Sequence, residues 1–200
     1  MDPLAFRMQN IMPQGYEDGF SHNVNYNDSF RECMEAGRKY IDYDRKMSEY
    51  AKETGPIRHG VGVSFFVYKT AVAPFALETA TAAVTLNQDG TIQLQMGATE
   101  IGQGADTVFS QMAAEAIGVR TEDVHIVSFQ DTDVTPYDTG AYASRQTYVS
   151  GTAVKKAGET LRRKILDYAR FVYPNAQGEL ALEDGVVLDA LGHKVVDLAT

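Results

Sequence analysis

The pattern that most constrains the fold lies in residues 79–96, where two apolar-rich runs flank a group of turn residues. Thr79–Leu86 is rich in Thr, Ala and Val, and Asn87–Gly90 has the composition of a tight turn. From Thr91 to Met96 every second side chain is apolar, which is the period of a strand with one buried face. The sequence therefore predicts a β-hairpin here, and an earlier run, Val61–Val67, has the same strand-like character.

Two strand–loop–helix units follow the hairpin in tandem, and short strands come after them. Each helical stretch carries apolar side chains three or four residues apart, which gives it one face suited to packing on a sheet. The predicted elements, in chain order, are a helix over 106–117, a strand over 124–127, a helix over 153–171 and short strands near 180–182, 186–188 and 195–196. This order indicates an α+β fold in which a mixed sheet, built on the hairpin, is covered by helices.

The N-terminal part of the chain predicts a separate helical and loop segment. Residues 29–41 predict an amphipathic helix with Cys33 on its apolar face, where a thiol is more often a small buried side chain than a nucleophile. The densely charged residues 44–56 predict a linker. We therefore expect two domains, residues 1–56 and residues 57–200.

Composition excludes several classes of function. The chain has 18 Lys and Arg against 27 Asp and Glu, a formal net charge of −9, so we expect no nucleic-acid partner. No apolar run reaches the roughly 18 residues of a membrane span, and the first residues lack the regions of a signal peptide. The single cysteine excludes an internal disulfide or a cysteine-only metal site. These observations favour a cytoplasmic protein without a membrane partner.

The loop before the helix 106–117 is rich in glycine and is typical of an anion site. A loop that opens a helix exposes N–H groups at the positive end of the helix dipole, and Gly102 and Gly104 allow close approach of a ligand. The spacing matches neither a phosphate-binding loop with Gly-Lys-Ser/Thr nor a dinucleotide fingerprint. The alternative interpretation is a tight turn that needs positive φ.

The loop before the helix 153–171 offers a different chemistry. Asp131, Asp133 and Asp138 lack the spacing of a calcium loop and are interpreted as carboxylates on a solvated turn. The small residues that follow would let a ligand approach, and residues 144–146, Ser-Arg-Gln, provide partners for a phosphate or a base. A plain helix N-terminus is the alternative. We identify no catalytic residue and no side-chain metal ligand in the chain.

Three segments carry motifs long enough to compare with a known family. Gly97 to Val119 reads G-A-T-E-I-G-Q-G-A-D-T-V-F-S-Q-M-A-A-E-A-I-G-V, and Asp131 to Val154 reads D-T-D-V-T-P-Y-D-T-G-A-Y-A-S-R-Q-T-Y-V-S-G-T-A-V. Asp2 to Asn10 matches the pattern D-P-x-x-F-R-x-x-N. Together they resemble the molybdenum-binding large subunit of the xanthine dehydrogenase and aldehyde oxidase family. The sequence of the segment that begins at Asp131 is most similar to bacterial xanthine dehydrogenases.

This resemblance implies a function, a cofactor and partners. The function is hydroxylation of a purine or other N-heterocycle, with oxygen from water, at molybdenum held by a molybdopterin (cytosine dinucleotide) cofactor. The resemblance implies that the cofactor is contacted by eight residues of the two loops: Ile101, Gly102, Gln103, Gly104, Ala143, Ser144, Arg145 and Gln146. The implied partners are the remaining parts of the molybdenum subunit, Fe-S clusters and FAD on other domains or subunits, and a small heterocyclic substrate, with a homo-oligomer left open.

The comparison also shows what this sequence lacks. The family's general-base glutamate, in a G-E-containing segment near the end of its subunit, has no counterpart here. We therefore expect the chain to be a central fragment of a longer subunit, inactive by itself. The alternatives are a cofactor-free scaffold or interaction module with the same fold, and a binder of other nucleotide phosphates.

Overall fold

Residues 1–20, 22–66, 68 and 78–199 are described by a computed structural model, which divides into two units, Met1–Val67 and Tyr68–Thr200. The predicted domain boundary at residue 56 stays a prediction, because compactness alone does not define a domain. None of the helices in the described part of the chain combines the length and the apolar character that a membrane crossing requires.

The described part of the first unit is helical. Its helices are α1, Pro3–Asn10; α2, Ser29–Tyr40; and α3, Tyr43–Tyr50. Asp2 caps α1 by accepting the N–H of Ala5 at 2.8 Å, and its second carboxylate oxygen accepts the hydroxyl of Tyr43 at 2.7 Å. Leu4, Met34 and Tyr43 are the buried residues around which this unit packs.

Three predictions for this unit are wrong. Helix α3 occupies residues predicted as linker, because Tyr43 gives the charged segment a buried anchor. Cys33 is exposed, since the buried face of α2 is centred on its neighbour Met34. Residues 61–66 form no strand, although Val63 and its alternate neighbours pack on the core. They keep the period of two without a pairing partner among the described residues, and Val67 lies outside those residues.

The second unit contains the predicted sheet and helices. Its elements are β1, Ala82–Leu86; β2, Ile92–Met96; α4, Ala105–Ile117; β3, Val124–Val127; a π-helix, Gln146–Ser150; α5, Gly151–Val172; β4, Ala181–Glu183; β5, Val186–Leu188; and β6, Lys194–Asp197. The hairpin is confirmed, with β1 antiparallel to β2 and Leu86 opposite Ile92. Strand β3 joins β2 in parallel, and β4, β5 and β6 form a separate antiparallel sheet. The α+β fold with a mixed sheet is thus confirmed.

One core holds these elements together. Ile92, Leu94 and Met96 project from the same face of β2 and are almost fully buried, as the alternating pattern predicts. Their core also contains Phe109 of α4 and Val154 of α5. This packing fixes β2 and α4, which the first loop connects, and α5, which follows the second loop and the π-helix.

Candidate functional site

The two loops that sequence analysis singled out cross each other directly after β2. We call residues 97–104 the first loop and residues 131–146 the second loop, which includes the first residue of the π-helix. A Cβ on Gly97 would lie 2.3 Å from the carbonyl oxygen of Pro136 and 2.7 Å from the backbone nitrogen of Asp138. Only glycine fits such an approach, so Gly97 lets the second loop lie against the first.

The side chain of Arg145 is completely shielded from solvent and anchors the second loop. Its Nη1 donates to Asp138 at 2.6 Å, and its Nε donates to Glu78 at 2.8 Å. Asp138 is shielded as well, and its second oxygen accepts the hydroxyl of Ser150 at 2.7 Å. The prediction that Asp138 belongs to a solvated turn is therefore wrong.

Backbone carbonyls take up further donors of the same guanidinium. Arg145 donates to the carbonyl of Gly140 at 2.9 Å and to that of Thr79 at 2.7 Å. Burial by itself lowers the Arg145 pKa, but the hydrogen bonds to Glu78 and Asp138 outweigh it, and the pKa is raised overall. The group stays charged and ties the second loop to the segment preceding β1.

The residues before the π-helix have an unusual backbone. Ala143 has a φ of +47° and Ser144 a φ of +50°, values that residues with a side chain rarely adopt. The N–H of Ala143 donates to the hydroxyl of Tyr68 at 2.9 Å. The anchored guanidinium of Arg145 comes directly afterwards, so surrounding contacts hold this conformation in place.

The first loop already contains an anion of its own. Gly102 and Gly104 have φ values of +100° and +83°, and their N–H groups donate to one oxygen of Glu100 at 2.6 and 3.1 Å. The N–H of Asp106 donates to the other oxygen at 3.1 Å. These bonds lower the pKa of Glu100, and the bond from the N–H of Asp106 contributes most to the shift. The N–H groups that the sequence suggested for an external anion therefore bind Glu100.

Two glutamine side chains connect the loops. Gln103 donates to the side-chain oxygen of Gln146, and both amides also donate to the carbonyl of Thr99, at 2.9 and 3.1 Å. The amide oxygen of Gln103 accepts the N–H of Ile101 at 2.7 Å. Two residues that lie 43 positions apart in the chain thus form one hydrogen-bonding unit.

A cleft of about 350 Å³ opens beside this pair. Its apolar lining includes Val108 and Phe109 of α4, and Tyr68 and Tyr142 add aromatic rings. The lining contains five of the eight predicted contact residues: Ile101, Gln103, Ser144, Arg145 and Gln146. The other three, Gly102, Gly104 and Ala143, lie in the positive-φ turns of the same loops.

The cleft can therefore recognise a ligand by neutral hydrogen bonds and apolar contact. The polar side chains of its lining carry amide and hydroxyl groups. The guanidinium of Arg145 also lines the cleft, but it is bonded to Glu78 and Asp138. Within the described ranges, no group of three or more His, Cys, Asp or Glu side chains is placed to hold a metal ion.

Sequence analysis did not identify Glu78, Glu100 and Tyr68, whose side chains bind the two loops. Glu78 lies 67 positions from Arg145, and no local pattern connects the two. Glu100 did carry a signal, because a carboxylate two residues before the first of two loop glycines is within reach of their N–H groups. Tyr68 lies far from Ala143 in the chain, and nothing in the sequence pairs them.

Comparison with known proteins places this geometry in context. The family described as the molybdopterin cofactor-binding domain matches residues 36–200. The chain is 43% identical over 188 residues to the xanthine dehydrogenase molybdenum-binding subunit of Escherichia coli O157:H7, which covers 94% of this chain and 25% of that protein. It is 25% identical over 204 residues to the nicotine 6-hydroxylase large subunit of Paenarthrobacter nicotinovorans, which covers 92% and 24%.

Solved structures agree with these relatives. Quinoline 2-oxidoreductase from Pseudomonas putida 86 matches 100% of this chain and 27% of its own, with a TM-score of 0.61 at 20% identity, and so shows the fold. The aldehyde oxidoreductase from Desulfovibrio desulfuricans matches 80% and 18%, with a TM-score of 0.54 at 30% identity. The chain spans about a quarter of the length of the curated relatives compared above.

Proposed function

The chain belongs to the molybdopterin cofactor-binding domain family, and on that premise we propose that it binds a molybdopterin cofactor in the cleft between its two loops. The observation that carries the proposal is the paired amides of Gln103 and Gln146, which come from different loops and meet at the cleft. Beyond these bonds, Gln146 has a second N–H donor and each amide oxygen has a second lone pair, and the edge of a pterin ring offers partners for both. The apolar lining suits the faces of such a ring.

The proposed contacts differ in kind along the two loops. In the first loop, Ile101 offers its side chain and Gln103 its amide oxygen, since the amide N–H groups of Gln103 are bonded to Thr99 and Gln146. Gly102 and Gly104 shape the turn. In the second loop, Ser144 and Gln146 offer polar side chains, and Ala143 leaves room beside them. Arg145 contributes through the position it imposes, because its donors are engaged by Asp138, Glu78 and two carbonyls.

We further propose that this cofactor-binding region serves an oxidoreductase of the xanthine dehydrogenase type in the cytoplasm. Its reaction would be the hydroxylation of a purine or related N-heterocycle with oxygen from water. The cofactor, proposed here in its cytosine dinucleotide form, would supply the redox-active molybdenum, and partner domains or subunits with Fe-S clusters and FAD would accept the electrons. The proposal is supported by the similarity to proteins named xanthine dehydrogenase and nicotine 6-hydroxylase.

The test begins with the native protein that contains these peptides. We expect mass spectrometry of the purified protein to find a polypeptide longer than this chain, with molybdenum and a pterin dinucleotide released on denaturation. A free 200-residue species without molybdenum would contradict the proposal and favour a cofactor-free scaffold.

A matched set of variants localises the binding. Replacing Gln103 and Gln146 together by Leu removes the amide pair and should lower the ratio of molybdenum to subunit after gel filtration. Each lost hydrogen bond is worth about 0.5–1.5 kcal/mol of binding free energy. Gln111→Leu, at an exposed position of α4, serves as the control and should leave the ratio unchanged. An equal ratio in all three proteins would place the cofactor elsewhere.

A further inference from the structure

The carboxylate of Glu100 occupies the place where the first loop would otherwise accept a ligand's anion. It accepts the N–H groups of Gly102 and Gly104 with one oxygen and that of Asp106 with the other. These donors lie at the start of α4, where the aligned peptide dipoles give a positive potential. A second anion at the same N–H groups would have to displace Glu100 and would meet its negative charge.

The same carboxylate binds the two residues on either side of Gln103. Gln103 stands between Gly102 and Gly104, and both glycines donate to a single oxygen of Glu100. Both glycines also have positive φ, and an added Cβ at either would meet open space. The bonds to Glu100 therefore act on this turn alongside the bonds that Gln103 itself makes to Ile101 and to the carbonyl of Thr99.

We propose that Glu100 is a positioning residue whose carboxylate is the built-in anion of the first loop and holds Gln103 against Gln146 at the cleft. The ligand of the cleft would then meet the side-chain amides of the two glutamines and not the N–H groups of the first loop. In that respect the inference rests on the proposed function. It goes beyond that function by assigning the loop its anion.

The test uses the ¹⁵N-labelled 200-residue chain without cofactor, so that its result does not depend on molybdenum. Glu100→Ala vacates the loop, and acetate supplies the missing carboxylate. We expect the amide signals of Gly102, Gly104 and Asp106 in this variant to shift saturably with millimolar acetate. We also expect the side-chain amide signal of Gln103 to move away from its original position in the variant and to return as acetate binds.

Two controls define the outcome. The unaltered chain should show no saturable acetate shift at these amides, because Glu100 already fills the loop. Glu115→Ala removes an exposed carboxylate of α4 and should behave like the unaltered chain. Saturable acetate binding to the unaltered loop, or a Gln103 signal indifferent to Glu100→Ala, would overturn the inference.

A second variant covers the case in which Glu100→Ala does not fold. Glu100→Gln keeps the size of the side chain but replaces one accepting oxygen by a donor that faces the loop N–H groups. We expect the signals of Gly102, Gly104 and the Gln103 side chain to move without any response to acetate. A spectrum that superimposes on that of the unaltered chain at these positions would overturn the inference.

The outcomes for Glu100 and for the cofactor can be told apart. Acetate rescue in the chain together with a native protein free of molybdenum would sustain the role of Glu100 in the loop and remove the proposed ligand. Native molybdenum without acetate rescue would sustain the cofactor site and remove the role of Glu100.

Discussion

Arg145 and Asp138 are opposite charges with no solvent exposure of either side chain, a combination whose energetics are asymmetric. Their 2.6 Å hydrogen bond replaces water around both groups. Transfer of the two charges from water costs several kcal/mol, so forming such a pair adds little net stability. Removing one partner is different, because the other charge then stays buried without compensation.

We therefore expect Arg145→Met to lower the free energy of unfolding by about 3–5 kcal/mol, since it leaves the Asp138 carboxylate buried and unpaired. Urea denaturation followed by circular dichroism measures the change. Arg163→Met, at an exposed position of α5, is the matched control and should stay within about 0.5 kcal/mol. Equal effects of the two substitutions would show that the buried cluster does not hold the second loop.

Glu100 makes the free energy of unfolding depend on pH, and the sign of this dependence follows from its lowered pKa. The hydrogen bond from the N–H of Asp106 is the largest cause, and it stabilises the ionised carboxylate of the folded state. The stabilisation is complete above the usual pKa of 4.5 and is lost as the pH falls through the lower, folded-state pKa.

Comparison of the unaltered chain with Glu100→Gln isolates this contribution. We expect the variant to be less stable near neutral pH and the two unfolding free energies to converge as the pH falls below the usual pKa of 4.5. Other acids with lowered pKa, such as Asp89 and Asp189, are present in both proteins and cancel in the difference. A difference that stays constant over this range would argue against the assigned hydrogen bonds.

At the scale of elements, the sequence predicted best where the pattern and its cause are local. The hairpin was predictable because the turn residues and the alternation of residues 91–96 lie within one short stretch. The prediction of a linker over residues 44–56 was wrong. Their charge density favoured a linker, but Tyr43, directly before them, is buried and begins α3. The same holds for the site. Its loops could be predicted from their glycine residues, which are a local pattern, but the partners of Arg145 could not, because they depend on tertiary contacts.

The crossing of α4 and α5 depends on a helical glycine that helix propensity disfavours. A Cβ on Gly158 would lie 2.8 Å from the Cβ of Ala116 and 3.2 Å from Cγ1 of Ile117. Neither atom lies at the free end of a flexible side chain, so the two helices would have to separate. The close contact of α4 with α5 therefore requires glycine at this position.

We expect Gly158→Ala to lower the free energy of unfolding by about 1–3 kcal/mol, because overpacking outweighs the gain in helix propensity. Gly37→Ala in α2 is the matched substitution, since its Cβ would meet Phe65 only at an ordinary 3.6 Å. There the propensity gain of about 0.5–1 kcal/mol should appear as stabilisation. Thermal unfolding of both variants measures the sign of the change in unfolding free energy for each. Stabilisation by Gly158→Ala would contradict the prediction and show that the helices can separate at little cost.

At the scale of the whole molecule, the described lining of the cleft offers groups that could bind a ligand but none that is typical of a general base. Its lining, as far as the structure describes it, contains amides, hydroxyls, aromatic rings and an engaged guanidinium, but no carboxylate and no histidine. Hydroxylation with water as the oxygen source requires a group that accepts a proton near neutral pH, and such groups are carboxylates or imidazoles in most enzymes. Under the proposed function, we expect this base to come from outside the described lining of the cleft.

We therefore expect the 200-residue chain, produced in cells that make molybdopterin cofactors, to show no oxidation of xanthine even in preparations that retain molybdenum. The native protein containing these peptides should oxidise its heterocycle under the same conditions. Following urate formation by absorbance, with the molybdenum content measured on the same samples, separates failure to bind the cofactor from failure to react. Xanthine oxidation by the purified chain itself would mean that one of its own residues supplies the base, and would contradict this expectation.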